Sequence, residues 1–161
     1  MKFSIITLGC KVNTYESQYY AAQLEELGYE QVSPDQACDI CIINTCTVTN
    51  TAASKSRQKI HYVKRMNPDA LCVVVGCFVQ FASEDERKAL DADLVIGATQ
   101  KNELVNLIQK ALQDHEKIDV VNEVTQFKDF EAMPVHCFES MHRAFLKVQD
   151  GCNQFCSYCA I

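Results

Sequence analysis

The residues best placed to do chemistry are cysteines. The 161-residue chain contains ten of them, and three lie close together at Cys152, Cys156 and Cys159, with the spacing C-x3-C-x2-C. Clustered thiolates are typical ligands of iron–sulfur clusters, zinc or copper(I). Ferredoxin-type patterns supply four cysteines per cluster, whereas three on one short loop would leave one iron of a four-iron cluster open to an outside ligand. We therefore predict a metal site on this loop, with a zinc knuckle as the alternative.

Three further cysteines lie far apart in the sequence, each just after an apolar run. Cys10 and Cys77 both follow a glycine, and Cys46 follows Thr45. If the apolar runs are parallel strands, their carboxyl ends meet at one edge of a sheet, where open α/β sheets bind ligands. We predict a second three-thiolate site there. The alternative is that these are small buried residues, since free cysteine is among the most buried residue types.

The remaining cysteines carry weaker signals. Cys38 and Cys41 have C-x2-C spacing, but Cys41 lies inside an apolar run and no second pair follows at zinc-finger spacing, so packing is the favoured interpretation. Cys72 is predicted to be a core residue, and Cys137 receives no role. A disulfide scaffold is disfavoured, because such scaffolds belong to small secreted domains. In a reducing compartment, clustered cysteines are more often metal ligands or redox groups.

Strand-like and helical patterns alternate four times in the region that must position these thiols. The segments, each strand followed by its helix, are 2–8 and 13–27, 40–44 and 51–66, 71–75 and 84–90, and 94–96 and 101–112. Such alternation, with near-continuous apolar strands, predicts an α/β fold, an open parallel sheet with helices on both faces.

Three regions follow from this pattern. Residues 1–115 are predicted to form the α/β domain, and residues 116–140 a connecting segment with a weak strand signal at 119–125. Residues 141–161 are predicted to begin a second domain, with a strand at 144–148 leading into the C-x3-C-x2-C loop. We expect that domain to be truncated, because one strand and one loop cannot bury a core.

Charge and hydropathy limit the classes of partner. The net charge of −6, from 15 basic and 21 acidic residues, gives no support for non-specific nucleic-acid binding by the surface as a whole. No apolar run approaches the ~20 residues of a membrane span, and no secretory signal is visible, so we expect a cytoplasmic protein without a membrane partner.

A local basic cluster is compatible with a phosphate-contacting face or with a solvated helix face; its members are Lys55, Arg57, Lys59, Lys64 and Arg65.

The C-x3-C-x2-C loop after a predicted strand resembles the signature of the radical S-adenosylmethionine (SAM) superfamily. The resemblance implies that Cys152, Cys156 and Cys159 hold a 4Fe-4S cluster whose open iron binds SAM. It also implies that Tyr158 lies near the SAM adenine, and that residues 141–161 are the start of a truncated radical SAM barrel. An electron donor would then be required to cleave SAM to a 5′-deoxyadenosyl radical.

The chain as a whole resembles the methylthiotransferase family. The motifs that carry this resemblance are 7–13 (TLGCKVN), 44–49 (NTCTVT), Gly76-Cys77 and 147–153 (KVQDGCN). The resemblance implies that Cys10, Cys46 and Cys77 hold a second, auxiliary 4Fe-4S cluster that carries the sulfur to be inserted.

Within this family, residues 11–17 and 54–58 most resemble the bacterial enzymes that act on N6-threonylcarbamoyladenosine in tRNA. We therefore expect a transferase that adds a methylthio group to carbon 2 of that base, next to the anticodon. No acid–base side chain is assigned a catalytic role, because cofactors carry such chemistry. We expect the 161 residues to be inactive alone. The competing hypothesis is a non-catalytic iron–sulfur or zinc-binding module.

Overall fold

A computed structural model describes residues 1–123, 130–135, 145–149, 151, 152, 154, 156 and 157. Its centre is a six-stranded sheet in which every neighbouring pair is parallel. The strands are β1 Lys2–Thr7, β2 Glu30–Gln31, β3 Ile40–Thr45, β4 Leu71–Gly76, β5 Leu94–Ile96 and β6 Ile118–Val120. The predicted α/β class with an open parallel sheet is confirmed.

Helices cover both faces of the sheet. They are α1 Lys11–Glu26, α2 Asn50–Met66, α3 Cys77–Phe81, α4 Glu84–Lys88 and α5 Leu104–Asp114, the last preceded by a 3-10 turn at Lys101–Glu103. Because successive strand residues point to opposite faces, Ile40 and Ile42 join the core under α1 and α5. Cys41 and Ile43 join a second core under α2 and α3. In the described part of the chain, no helix is both long and apolar enough to cross a membrane.

The strand order is β2-β1-β3-β4-β5-β6. From β1 the chain moves outward to β2, and it then returns to place β3 on the other side of β1. The connections after β1 and β3 therefore diverge, which creates a switch point at the carboxyl edge of the sheet. Ligands of open α/β sheets bind in the crevice at such a point.

Several details differ from the sequence-based prediction. The short strand β2 and helix α3 were not predicted, and the sixth strand is Ile118–Val120 rather than 119–125. Because β6 pairs with β5, the sheet extends past residue 115. The domain boundaries themselves stay a prediction.

The strand expected at 144–148 is not present at the residues described there. Residues 145–149 have no strand assignment. A strand needs a neighbouring strand to accept and donate its ladder hydrogen bonds, and no strand of the described residues pairs with this segment.

Candidate metal centre at the sheet edge

Three thiols follow three neighbouring strands at the switch-point edge. Cys10 comes after β1 and lies immediately before α1, Cys46 comes after β3, and Cys77 is the first residue of α3 after β4. Cys10 is exposed, Cys77 is half-buried and Cys46 is 4% exposed. The sheet therefore brings together residues that are separated by more than thirty positions in sequence.

The turn before Cys10 is shaped around the side chain of Cys46. Gly9 has a φ of +100°, a left-handed conformation that favours glycine. A Cβ at this position would stand 2.6 Å from the Cys46 Sγ and 2.5 Å from its Cβ. Cys46 thus packs directly against the backbone that presents Cys10, and only a residue without a side chain fits between them.

Buried amides hold the loops around this edge. The Asn13 side-chain amide donates to the carbonyl oxygens of Leu8 (2.7 Å) and Thr45 (2.9 Å). The Asn44 amide donates to the Asn13 carbonyl at 3.0 Å. Because these groups are almost fully buried, each lost hydrogen bond would be costly. The network fixes the loops after β1 and β3 relative to each other.

Cys46 is also anchored from helix α2. Its backbone N–H donates to the Ser56 Oγ at 3.3 Å, and the Ser56 hydroxyl donates to the Cys46 carbonyl oxygen at 3.0 Å. Ser56 is fully buried. The backbone that carries Cys46 is therefore positioned by the first turns of α2.

Cys77 interacts electrostatically with the other two thiols. Burial raises the pKa of the Cys77 thiol, Lys101 opposes that shift, and Cys46, Glu16 and Cys10 add to it. Gly76 has a φ of +106°, and a Cβ there would stand 2.8 Å from the Thr45 carbonyl oxygen. The glycine turn before Cys77 is thus the counterpart of the turn before Cys10.

The donor set at this edge fits a thiophilic metal group. Three thiolates are the ligands that iron–sulfur clusters and zinc prefer, and one missing ligand suits a cluster with an open iron. In the side-chain arrangement of the described residues, no three His, Cys, Asp or Glu side chains stand close enough to hold a metal ion. The Cys10 Sγ instead donates to the Asn13 Oδ1 at 3.6 Å. Ligation would therefore require Cys10 to exchange this contact for the metal.

A buried ion cluster forms around Glu16 of α1, close enough to the Cys77 thiol to influence its pKa. The Glu16 side chain is 1% exposed, and its Oε1 contacts the ammonium groups of Lys101 and, at 3.4 Å, Lys147. The Lys147 side chain is only 2% exposed. We call Glu16, Lys101 and Lys147 the Glu16 ion cluster. Lys147 lies five positions before Cys152. The cluster therefore links the sheet edge to the segment that precedes the second cysteine group.

Further contacts hold segments 130–135 and 145–149 against α1 and against the turn that precedes α5. The Tyr15 hydroxyl donates to the Met133 carbonyl oxygen at 2.7 Å, and the Lys11 ammonium lies 5.9 Å from the centre of the Phe145 ring. Glu131 accepts hydrogen bonds from the backbone N–H groups of Gln100 and, at 2.9 Å, Lys101. Segments 130–135 and 145–149 therefore pack against the α/β domain.

Sequence reasoning missed Asn13, Glu16 and Lys101. A signal for the first two was available, because Asn13 and Glu16 share helical spacing with Tyr20 and Leu24, which form the apolar face of α1. Polar residues on a buried face need partners. Lys101 gives no comparable signal, because its partner lies 85 positions away.

The second cysteine group is described only in part. Cys152 and Cys156 are exposed thiols. Cys159 and Tyr158 lie outside the described residues, as does Cys137. Their roles stay predictions.

The remaining cysteines lie away from this edge. Cys41 and Cys72 are register partners on β3 and β4 and are 1% and 0% exposed, which confirms the core assignment. The Cys38 Sγ is half-buried and lies 2.8 Å from the Cys41 Sγ.

Curated relatives match the chain along nearly its whole length. The threonylcarbamoyladenosine tRNA methylthiotransferase MtaB of Aquifex aeolicus is 38% identical over 100% of the chain and 39% of the relative. MtaB of Bacillus subtilis is 37% identical over 96% of the chain and 34% of the relative. A tRNA-2-methylthio-N(6)-dimethylallyladenosine synthase of Natranaerobius thermophilus is 29% identical over 99% of the chain and 36% of the relative. The chain thus spans about a third to two fifths of these proteins.

A solved structure supports the fold alone. The isolated REC domain of RcsB from Salmonella enterica serovar Typhimurium aligns with a TM-score of 0.51 and 14% identity, over 74% of this chain and 92% of that domain. At this identity the likeness concerns the doubly wound architecture and carries no functional information.

A protein-family profile covers most of the sheet and all three edge thiols. The profile, described as "Uncharacterized protein family UPF0004", matches residues 2–97. The relatives above confirm the resemblance to methylthiotransferases drawn from the cysteine motifs. The chain belongs to the family UPF0004.

Proposed function

We propose that this chain is part of a cytoplasmic tRNA methylthiotransferase that adds a methylthio group to carbon 2 of N6-threonylcarbamoyladenosine next to the anticodon. The observation that carries the proposal is the placement of Cys10, Cys46 and Cys77 at one switch-point edge of the sheet. The names of the relatives with 37–38% identity support the threonylcarbamoyladenosine substrate.

Two 4Fe-4S clusters would supply the chemistry, one cleaving SAM to generate a radical and one providing the sulfur. Cys152, Cys156 and Cys159 would hold the first cluster, with Tyr158 beside the SAM adenine. Cys10, Cys46 and Cys77 would hold the second. An electron donor completes the required partners.

The protein's own contribution is positioning. Ser56 and the packing of Cys46 against Gly9 orient one thiol, and the glycine turn at Gly76 orients another. The Asn13 amide fixes the loops between them. The Glu16 ion cluster keeps the segment before Cys152 against the same edge. Such preorganisation matters because the two clusters must act on a single base.

The test is the iron, sulfide and zinc content of the chain after anaerobic reconstitution. We expect about eight irons per chain, from two four-iron clusters. Cys46→Ala should lower this to about four, and Cys156→Ala should do the same. In the full-length enzyme, Cys156→Ala should abolish SAM cleavage, whereas Cys46→Ala should allow SAM cleavage but no thiolation.

The matched control is Cys72→Ala, which removes a thiol of the core and should leave the iron content unchanged. Stoichiometric zinc with almost no iron would contradict the proposal and leave a structural zinc module. Thiolation of tRNA by the Cys46→Ala enzyme would show that the sulfur-providing site lies elsewhere.

A further inference from the structure

Helix α2 concentrates positive charge on a protein that is acidic overall. The chain carries a net charge of −6, yet no acidic residue occurs between Asp39 and Asp69. Lys55, Arg57 and Lys59, within the first ten residues of α2, are all exposed. At 3.6 residues per turn, Lys55 and Lys59 lie on one flank of the exposed side of the helix and Arg57 lies on the other flank. We call these three residues, which border the exposed side of α2, the basic face.

The structure separates this face from the rest of the basic cluster seen in the sequence. Lys64 is half-buried, and its ammonium group forms an ion pair of 2.9 Å with Asp93. Arg65 lies at the far end of the helix, where its guanidinium stands 6.0 Å from the centre of the Tyr62 ring. Lys55, Arg57 and Lys59 are therefore the exposed basic residues of α2 that lie nearest its start, which follows Cys46, whereas Arg65 lies close to the end of the helix.

The basic face lies next to the candidate metal centre. Helix α2 begins four positions after Cys46, and the buried Ser56, between Lys55 and Arg57, bonds the Cys46 backbone in both directions. The Arg57 guanidinium lies 5.4 Å from the centre of the ring of Phe78, the residue after Cys77. With a rise of about 1.5 Å per residue, Lys55 and Lys59 lie about 6 Å apart along the helix.

Ring contacts limit the freedom of two of these side chains. The Lys59 ammonium lies 5.1 Å from the centre of the Tyr62 ring, and the Arg57 guanidinium lies over the Phe78 ring, as described above. Cation–π contacts of this kind attract the charged group to the ring face. Arg57 also helps to lower the pKa of Glu86, although the backbone and side chain of Ser83 contribute more.

We propose that the basic face is a docking surface for the phosphate backbone of RNA, which it holds beside the thiols of Cys10, Cys46 and Cys77. The proposal rests on the proposed function and adds to it the surface that receives the tRNA. Lysine and arginine at such positions release the counterions condensed on the phosphates, which makes binding salt-dependent. An anionic membrane fits less well, because the apolar side of α2, with Ile60 and Val63, is buried in the protein core and cannot enter a bilayer.

The experiment compares the chain with the variant Lys55→Gln/Arg57→Gln/Lys59→Gln. Binding to a fluorescently labelled, unmodified anticodon stem-loop RNA is measured by anisotropy over a range of KCl concentrations. We expect the variant to bind at least tenfold more weakly at about 0.1 M salt. We also expect the slope of log Kd against log salt to fall by about 2, since each phosphate contact contributes about 0.7–0.9 to that slope.

The control Lys88→Gln/Lys110→Gln/Lys117→Gln removes the same charge from exposed positions elsewhere and should keep most of the affinity. Lys55→Arg/Lys59→Arg keeps the charge of the basic face and should keep the affinity of the parent chain. Circular dichroism shows whether each variant is folded, and iron content after reconstitution reports the metal centre independently of RNA. The proposal is overturned if both glutamine variants weaken RNA binding equally, or if the parent chain does not bind the RNA. It is also overturned if the substitutions in the basic face weaken binding to anionic vesicles and leave binding to RNA unchanged.

Discussion

At the scale of single residues, two cysteines inside the strands differ in burial from the exposed cysteines. Burial raises the pKa of both Cys41 and Cys72 to about 12. The thiolate is the reactive and metal-binding form, so these two side chains are core residues at neutral pH. Cys10, Cys152 and Cys156 are exposed, so their thiols are accessible to a metal. Cys46 and Cys77 are buried and half-buried, but they lie after the ends of their strands at the sheet edge and not inside a strand.

This difference predicts a pattern of alkylation. Iodoacetamide at about pH 8 should modify Cys10, Cys152 and Cys156 in the folded, metal-free chain, and should modify Cys72 and Cys41 only after denaturation. Peptide mapping by mass spectrometry measures the extent at each site. Labelling of Cys72 in the folded protein as fast as that of Cys152 would contradict the core assignment.

The same two pKa values predict a stability loss at alkaline pH. A thiol with a raised pKa keeps its proton in the folded state while the unfolded thiol loses it near the reference value of 9.0. The free energy of unfolding should therefore be unaffected by these thiols below about pH 8, and should fall as the pH rises from about 9 toward 12. Urea unfolding of the parent and Cys72→Ala at pH 8 and 10 checks this, because the variant should lose less stability between the two.

At the scale of elements, the turns after the strands decide where the thiols lie. Gly9 and Gly28 both have a positive φ, +100° and +80°. They differ in their surroundings, because a Cβ at Gly9 would overlap Cys46, whereas a Cβ at Gly28 has nothing within 4 Å. This pair separates the effect of backbone conformation from that of close packing.

Gly28→Ala should lower the free energy of unfolding by about 1–2 kcal/mol, the cost of a left-handed conformation for a residue with a side chain. Gly9→Ala should cost about 1–3 kcal/mol more, because the added methyl must displace Cys46. It should also reduce the iron bound after reconstitution. Urea unfolding measures the first effect; equal stability and equal iron content in the two variants would rule out close packing at Gly9.

At the scale of the whole molecule, the Glu16 ion cluster joins parts of the chain that are distant in sequence. One carboxylate contacts the ammonium groups of Lys101 and Lys147, and all three side chains are at least nine-tenths buried. Taking charges out of water is expensive, and removing one partner of a buried pair typically costs 3–5 kcal/mol. The arrangement predicts that substitutions of Glu16 and of Lys147 lower the free energy of unfolding by unequal amounts.

Glu16→Gln should lower the free energy of unfolding by about 3 kcal/mol, because it removes the carboxylate that two buried ammonium groups contact. Lys147→Met should cost clearly less, about 1 kcal/mol, since the contact between Glu16 and Lys101 remains. Urea unfolding of both variants and of the double variant gives the coupling. Equal costs for the two single variants would show that Lys147 and Lys101 do not share the carboxylate.

The sequence alone determined the α/β class, the approximate positions of most strands and helices, and the core placement of Cys41 and Cys72. These features follow from local periodicity and from apolar runs, which the chain displays residue by residue. The short elements β2 and α3 were missed, because two residues at Glu30–Gln31 and five at Cys77–Phe81 are too few to show a period.

Only the tertiary structure decided which polar groups serve the site. The contact of Glu16 with Lys101 and Lys147, the packing of Cys46 against Gly9 and the ion pair that removes Lys64 from the exposed basic cluster all depend on pairs far apart in sequence. Such contacts arise when the crossovers of a parallel sheet bring distant segments of the chain together, and no local pattern encodes them. The cysteine types and their spacing indicated a metal site, whereas the fold determined what surrounds it.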